Sequence, residues 1–206
     1  LAVSRRIGEN SLRAREEAPE NLFGMGRSMG RSLRGQMLGL LGCGRIGKRT
    51  AEIAAAFGMR CIGYSRHGVN HPQVESVPLP ELLAQSDVLS LHCPLTQETH
   101  RLLDRSALAR MKQGSILINT ARGAIVDCDA LADALESGHL RGAGLDVYPD
   151  EPHIPPRLIA LPQVVLTPHI GTNTQETRQR MAEECARQIA DALAGKRPEH
   201  VVNGIE

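Results

Sequence analysis

The chain has 206 residues, of which 41% are hydrophobic, 23% charged and 2% aromatic, and its formal net charge is +1. This composition is ordinary for a globular protein, and the length suffices for one large domain with its own core. The balanced charge and the scarcity of aromatic rings disfavour partners such as nucleic acid or an anionic membrane. No apolar run approaches the roughly 20 residues of a membrane span, and nothing resembles a signal peptide, so we expect a cytoplasmic protein.

The cysteine pattern gives no sign of a disulfide framework or a zinc site. The five cysteines are odd in number, widely spread and never in Cys-x-x-Cys spacing: Cys43, Cys61, Cys93, Cys128 and Cys185. Such spacing is typical of reduced, mostly packed thiols. His92 and Cys93 are adjacent, but neighbouring strand residues point to opposite faces and no third ligand is evident. We therefore predict no metal site.

The first 35 residues are rich in arginine, glycine and serine. They predict a short helix followed by a linker, because residues 24–35 contain too much glycine and serine for a regular element. The arginines could form an anion or partner site, but scattered charge is usually a solvated surface. The solvated surface is the interpretation we prefer.

From residue 37 onward, short apolar runs alternate with helical patterns. The runs predict buried strands at 37–41, 59–64, 88–91, 116–119, 142–147 and 164–166. Helices are predicted between them, with apolar faces formed by Ile46, Thr50, Ile53 and Phe57 in the first and by Met181, Cys185, Ile189 and Leu193 in the last, at 174–193. We interpret the last stripe as core packing. Strict alternation predicts an α/β fold with a doubly wound, mostly parallel sheet.

A glycine-rich turn follows the first predicted strand. Gly42, Gly44 and Gly47 form a Gly-x-Gly-x-x-Gly pattern between that strand and a helix, which is the context that a dinucleotide site requires. Gly42 would permit the turn, Gly44 would let the backbone approach a pyrophosphate, and Gly47 would let helix and strand pack. The amides of Arg45 and Ile46 would face the anion. The alternative is a glycine-rich turn without a ligand.

The second strand ends where a NAD-selective fold places a carboxylate on the ribose 2′-hydroxyl. Ser65 and Arg66 stand there instead. A hydroxyl and a guanidinium suit a 2′-phosphate, so we predict NADP(H) as the preferred cofactor, with NAD(H) possible. The alternative is that Arg66 and His67 only solvate a loop, while the site accepts either cofactor.

Three further strand ends carry Arg122, Glu151 and His169. Ligands sit beyond the carboxyl ends of parallel strands, so these side chains could meet in one crevice. They suit hydride transfer between a nicotinamide and an alcohol or carbonyl carbon: His169 would move the proton, Glu151 would orient the imidazole, and Arg122 would grip a carboxylate or carbonyl oxygen. Taken singly, each residue has an ordinary structural explanation.

Together the segments resemble a known family. Leu-Gly-Cys-Gly-Arg-Ile-Gly, Asn-Thr-Ala-Arg-Gly, Gly-Leu-Asp-Val-Tyr with a following Glu-Pro, and Thr-Pro-His-Ile-Gly occur in this order, as in the D-isomer-specific 2-hydroxyacid dehydrogenases. The resemblance covers about residues 33–203. It implies that Arg122, Glu151 and His169 are catalytic and that Asp146 faces the nicotinamide amide. It also implies that the cofactor is bordered by Cys93, Pro94, Thr99, Thr120, Ala121, Asp146 and Gly171, together with Arg122 and His169.

The resemblance implies a Rossmann-type fold from which most of the substrate domain is missing, because family members are typically about half as long again. We expect a linker helix and Gly/Arg-rich linker at 1–32, a dinucleotide-binding domain at 33–195 and a return segment at 196–206. The expected partners are a small 2-hydroxy or 2-oxo acid and a second copy of the chain. Within the family, the sequence most resembles glyoxylate and hydroxypyruvate reductases. The alternative is a dinucleotide-binding sensor or interaction module without turnover.

Overall fold

The structure, a computed structural model, describes residues 1–24, 26, 29–199 and 201. The chain forms two compact units, Leu1–Pro168 and His169–Glu206. The domain boundaries predicted after residues 32 and 195 stay predictions, and His200 and residues 202–206 of the predicted return segment lie outside the described residues. In the described part of the chain, no helix is both long and apolar enough to cross a membrane.

The first unit contains a seven-stranded parallel sheet. Its strands are β1 Met37–Leu41, β2 Arg60–Tyr64, β3 Val74–Ser76, β4 Val88–Leu91, β5 Ser115–Asn119, β6 Leu140–Leu145 and β7 Val164–Leu166. The spatial order is β3-β2-β1-β4-β5-β6-β7, and every pair is parallel. The predicted doubly wound Rossmann-type sheet is confirmed. The chain winds outward from β1 in one direction and resumes at β4 on its other side, and ligands bind at such reversals of strand order.

Seven described helices belong to the first unit. They are α1 Ile7–Glu16, α2 Pro19–Leu22, α3 Arg45–Ala56, α4 Leu79–Gln85, α5 Arg105–Arg110, α6 Cys128–Glu136 and α7 Pro156–Ile159, with a 3-10 turn at Gly123–Ile125. Asp104 and Asp127 begin α5 and α6 by accepting hydrogen bonds from first-turn amides. The second unit contains α8 Gln175–Leu193, which Thr174 caps in the same way.

The sheet has a hydrophobic core on each face. Ile62, Leu89 and Leu117 pack with buried residues of α4, α5 and α6 on one face. Their chain neighbours, Cys61, Val88 and Ile116, pack with Ala51 and Ala54 of α3 on the other. Because successive strand side chains alternate between faces, a strand covered on both sides is apolar throughout, which explains the continuous runs in the sequence.

Short elements escaped the sequence patterns. The edge strand β3 has three residues, and α2, α4 and α7 have four to seven, which is too few for periodicity to show. In the stretch 24–35, the described residues contain no helix or strand, as predicted, while Met25, Arg27 and Ser28 lie outside the described residues. Strand β6 begins two residues before its predicted start because Leu140 also pairs with β5.

Two predicted packing faces are wrong. Ile46, Ile53 and Phe57 of the first helical stripe are exposed, and α3 packs instead through Gly47, Ala51 and Ala54. Gly47 lies against the glycine turn, where a Cβ would be 2.3 Å from the Gly42 oxygen, whereas Ala51 and Ala54 pack with buried strand residues. The stripe on α8 is also exposed: Met181, Cys185, Ile189 and Leu193 are not core residues, and α8 has no buried residue. Periodicity identifies an apolar face but not whether the chain covers it.

Candidate functional site

The turn after β1 is held by contacts between backbones. Gly42 has a φ of +101°, which favours glycine, and its amide donates to the Tyr64 carbonyl at 2.8 Å. A Cβ on Gly42 would lie 2.7 Å from backbone atoms of His92 and Cys93, and one on Gly47 would lie 2.3 Å from the Gly42 carbonyl oxygen. Neither position therefore has room for a side chain. The protein's own packing accounts for both glycines.

Gly44 is different, because a Cβ there would meet no atom within 4 Å and its φ of −75° suits any residue. Gly44 is the N-cap of α3, so no side chain caps the first amides of this helix. The first amides of a helix lack partners within the helix and carry its positive dipole end. A bare backbone at this position is suited to an approaching anion, which is the arrangement that a pyrophosphate requires.

A cavity of about 340 Å³ opens at the carboxyl edge where β1 meets β4. Its walls come from the ends of β1 and β2 and the segments that follow β1, β2 and β4, with Leu79 at the start of α4. The lining residues are Leu41, Gly42, Cys43, Gly44, Tyr64, Ser65, Arg66, His67, Leu79, His92, Cys93, Pro94, Glu98, Thr99 and Leu102. The structure thus brings together seven of the predicted cofactor residues: Gly42, Gly44, Ser65, Arg66, Cys93, Pro94 and Thr99. Arg45, Ile46 and Gly47 follow the same turn in α3 without lining the cavity.

The wall that follows β4 is a tight turn stabilised by threonines. The Thr99 hydroxyl donates to the Pro94 carbonyl at 2.7 Å, and the Thr96 amide donates to the Thr99 oxygen at 2.7 Å. Thr96 also donates its hydroxyl to Glu98, and Glu98 forms an ion pair with Arg66 across the cavity. The family resemblance named Thr99 in this turn, but sequence reasoning assigned no role to Glu98.

The structure corrects one argument about His92 and Cys93. Both residues follow β4, which ends at Leu91, and both line the cavity, so the alternation of strand side chains does not apply to them. Burial lowers the pKa of His92 and raises the pKa of the Cys93 thiol, which favours the neutral form of each. The His92 ring lies 3.0 Å from the Ser90 hydroxyl. Among the described residues, no group of three or more metal-ligating side chains occurs.

The loop after β5 is shaped by a buried asparagine. Asn119 is 1% exposed, its Nδ2 donates to the Arg122 carbonyl at 2.9 Å, and its Oδ1 accepts from the Ala121 amide at 3.0 Å. These two bonds fix the path of Thr120, Ala121 and Arg122, the predicted site residues of this loop. The Arg122 side chain is exposed and donates from Nη1 to the Ala121 carbonyl at 2.6 Å. Sequence reasoning quoted Asn119 in the motif but gave it no role.

The loop after β6 lies directly against the Arg122 loop. A Cβ on Gly123 would be 2.0 Å from the carbonyl carbon of Tyr148, so the two backbones touch. The Tyr148 amide donates to Glu151 Oε1 at 3.0 Å, which holds the predicted catalytic carboxylate on this loop. Burial raises the pKa of the Tyr148 hydroxyl, and the nearby charges of Asp146 and Glu151 add to that effect. Arg122 and Glu151 therefore occupy adjoining loops.

The ends of β5, β6 and β7 are joined by hydrogen bonds. The buried Asp146 donates its amide to the Asn119 carbonyl at 3.0 Å and accepts the Thr167 hydroxyl at 2.5 Å. Tyr148 Oη lies 3.1 Å from the Leu145 carbonyl and 2.9 Å from the Thr167 carbonyl. His169 and Gly171 follow in the second unit, where His169 has a φ of +52°. A non-glycine residue in the left-handed region is uncommon, and such residues concentrate at functional sites.

Residues 1–171 match the family model described as D-isomer specific 2-hydroxyacid dehydrogenase, NAD binding domain. The chain belongs to this family. It is 43% identical over 212 residues to a protein named glyoxylate reductase from Thermococcus litoralis, an alignment that covers 98% of this chain and 63% of the relative. The chain thus spans less than two thirds of the length of that relative.

Solved structures of the family share the fold. The TT0316 protein from Thermus thermophilus superposes with a TM-score of 0.92 at 48% identity, covering 98% of this chain and 65% of that one. An acyclic imino acid reductase in complex with NADPH and D-Arg superposes with a TM-score of 0.86 at 33% identity, covering 98% and 64%. The family description identifies the matched residues as an NAD-binding domain. Two of the relatives named above are reductases, which are oxidoreductases.

Proposed function

We propose that the protein is an NADP(H)-preferring oxidoreductase that interconverts a small 2-hydroxy acid and its 2-oxo acid, in the manner of a glyoxylate or hydroxypyruvate reductase. The observation that carries the proposal is the arrangement of one sheet edge. The glycine-turn cavity lies where β1 meets β4, and the adjoining Arg122 and Glu151 loops follow β5 and β6 at the same edge. The proposed cofactor cavity and the side chains proposed to bind the acid therefore lie at the same edge of one sheet.

The residues present fit a dinucleotide. Gly44 and the amides of Arg45 and Ile46 at the start of α3 would hold the pyrophosphate, because the bare backbone and the helix dipole both favour an anion. The other predicted lining residues would border the remainder, with Asp146 facing the nicotinamide amide. The bound nicotinamide supplies or accepts the hydride.

The chain's own side chains would handle the substrate and the proton. The exposed guanidinium of Arg122 would grip a carboxylate and polarise the reacting carbonyl oxygen. His169 would give a proton to that oxygen in reduction and take it back in oxidation. Glu151, oriented by the Tyr148 amide, would hold the imidazole in the orientation that proton transfer requires.

The cofactor preference rests on Ser65 and Arg66, which line the cavity directly after β2. No carboxylate occupies the two positions after that strand, and a guanidinium suits a 2′-phosphate. A structural relative at 33% identity was solved in complex with NADPH, which supports the proposal, although the family description names NAD. We therefore propose NADP(H) as preferred and NAD(H) as accepted.

The first experiment measures binding of NADPH and of NADH to the 206-residue chain by calorimetry. We expect tighter binding of NADPH, and Arg66→Asp should weaken NADPH while sparing NADH, because only NADPH carries the 2′-phosphate. If Arg66→Asp changes neither affinity, the cofactor assignment is wrong.

Turnover is tested in a full-length context, with the substrate domain present, by following NADPH oxidation with glyoxylate and with hydroxypyruvate. His169→Ala should lower the rate by about 10² to 10⁴, the usual contribution of general acid–base catalysis. The matched control is His100→Ala, which removes a histidine outside the proposed machinery. An unchanged rate in His169→Ala would remove that residue from the mechanism. Cofactor binding without turnover of any 2-oxo acid, even in the complete chain that includes the substrate domain, would favour the sensor or interaction module.

A homodimer and a cytoplasmic location also follow from the family resemblance and the sequence, and they stay predictions. Sedimentation of the purified protein would test the first, since the dimer should have twice the 22.3 kDa mass of the chain.

A further inference from the structure

One ion pair crosses the mouth of the cavity. Arg66 follows β2 and Glu98 lies in the turn after β4, and these two strands flank β1 on opposite sides. Arg66 Nη2 and Glu98 Oε2 are 3.2 Å apart, and both residues line the cavity that contains Gly42 and Gly44. The pair thus joins the two walls on either side of the glycine turn.

The Glu98 carboxylate is held in place independently of Arg66. Thr96 donates its hydroxyl to the same Oε2 atom at 2.8 Å, and Thr96 is itself fixed by the hydrogen bonds with Thr99. The Thr96 hydroxyl and the Arg66 charge hold the pKa of Glu98 below its usual range. Glu98 is therefore a charged, positioned acceptor at neutral pH.

The ion pair is suited to exchange rather than to permanent closure. The side chains of Arg66 and Glu98 are 60% and 69% exposed, and ion pairs in water are weak. A phosphate monoester carries more charge than a carboxylate and offers three acceptor oxygens. A phosphate can therefore displace Glu98 from the Arg66 guanidinium. The phosphate then lies near the negative charge of the Glu98 carboxylate, which disfavours its binding.

We propose that Glu98 is a specificity-determining residue that competes with the 2′-phosphate of NADP(H) for Arg66. The inference rests on the proposed role of Arg66 in holding that phosphate. NADH, which lacks the phosphate, leaves the ion pair intact and gains nothing from its loss. Glu98 thus narrows the difference in affinity between NADPH and NADH, because it weakens the binding of NADPH alone.

The test is Glu98→Gln, which removes the charge while keeping the side-chain size and an oxygen for Thr96. We expect the dissociation constant for NADPH, measured by calorimetry without substrate, to fall about threefold to fivefold, the upper part of the range for an exposed ion pair. The constant for NADH should stay within about twofold of its original value. Glu75→Gln on β3 is the matched control, because it removes an exposed charge that does not line the cavity.

The double variant Arg66→Gln/Glu98→Gln distinguishes the two proposals. Suppose that Arg66→Gln weakens NADPH binding but Glu98→Gln changes NADPH binding no more than Glu75→Gln does. Glu98 then does not compete for Arg66, while the cofactor assignment stands. If Glu98→Gln lowers the dissociation constant for NADPH by the same factor in the original chain and in the Arg66→Gln background, its effect does not depend on Arg66. That result overturns the proposed competition. Weaker NADPH binding in Glu98→Gln would likewise overturn it. If Arg66→Gln changes neither cofactor, the proposed cofactor preference itself fails.

Discussion

Two regions of the same sheet edge are built in opposite ways. The glycine turn at 42–47 is shaped by the absence of side chains, since Gly42 and Gly47 let backbones approach within distances that a Cβ would forbid. The loops after β5 and β6 are shaped by the presence of side chains, since Asn119, Asp146 and Tyr148 bind backbone or hydroxyl groups of other residues. Within these two loops, Gly123 resembles the turn, because a Cβ there would also collide with backbone.

This difference explains why a sequence motif reveals the glycine turn but does not reveal the hydrogen bonds between the loops. A steric requirement within six residues leaves a local spacing of glycines that can be recognised. A network that joins residue 119 to 146 and 146 to 167 leaves no spacing rule, because the fold creates the proximity. The turn is a local structure, whereas the loops depend on the assembled sheet.

Gly123 should be the most sensitive position in this comparison. Its replacement by alanine would place a Cβ 2.0 Å from the Tyr148 carbonyl carbon, so the two loops must separate. We expect Gly123→Ala to lower the free energy of unfolding by about 3 kcal/mol or more, the upper range for overpacking. Urea denaturation followed by circular dichroism measures the change.

The control is Gly8→Ala in α1, where a Cβ would meet only a methyl group at 3.9 Å. A helical alanine there should be neutral or stabilising by roughly 0.5–1 kcal/mol. Equal losses in the two variants would contradict the close contact between the β5 and β6 loops.

Asn119 should have the next largest effect. Asn119→Ala removes both hydrogen bonds and leaves the Ala121 amide and the Arg122 carbonyl without that partner, at a cost of about 2 kcal/mol. Hydrogen exchange at the Ala121 amide should accelerate in the same variant. Asn10→Ala is the control: its side chain also binds a carbonyl, that of Arg6, but on the part-buried surface of α1, and we expect a loss below about 1 kcal/mol. Unchanged exchange at Ala121 would show that Asn119 does not fix the loop.

The sequence predicted what depends on local pattern and missed what depends on assembly. Six of the seven strands were located within two residues, because a parallel sheet covered on both faces makes each strand continuously apolar. The faces of α3 and α8 were misjudged, because a periodic stripe does not state what covers it. In the candidate site, Gly42 and Arg66 were named from their motifs. The ion pair of Arg66 with Glu98 joins residues 32 positions apart and could not be read from either motif.

Gly44 should have the smallest effect on stability and a distinct effect on binding. Its Cβ would meet no atom and its backbone already suits alanine, so Gly44→Ala should lower the free energy of unfolding by less than about 1 kcal/mol. A methyl group over the start of α3 should nevertheless weaken both NADPH and NADH about tenfold, because both carry the pyrophosphate. Gly47→Ala is the contrasting variant, since its Cβ would lie 2.3 Å from the Gly42 oxygen and should destabilise the fold itself. If Gly44→Ala binds both cofactors normally, the bare backbone at this position is not where the anion lies, and the steric explanation of the turn would hold for its packing glycines alone.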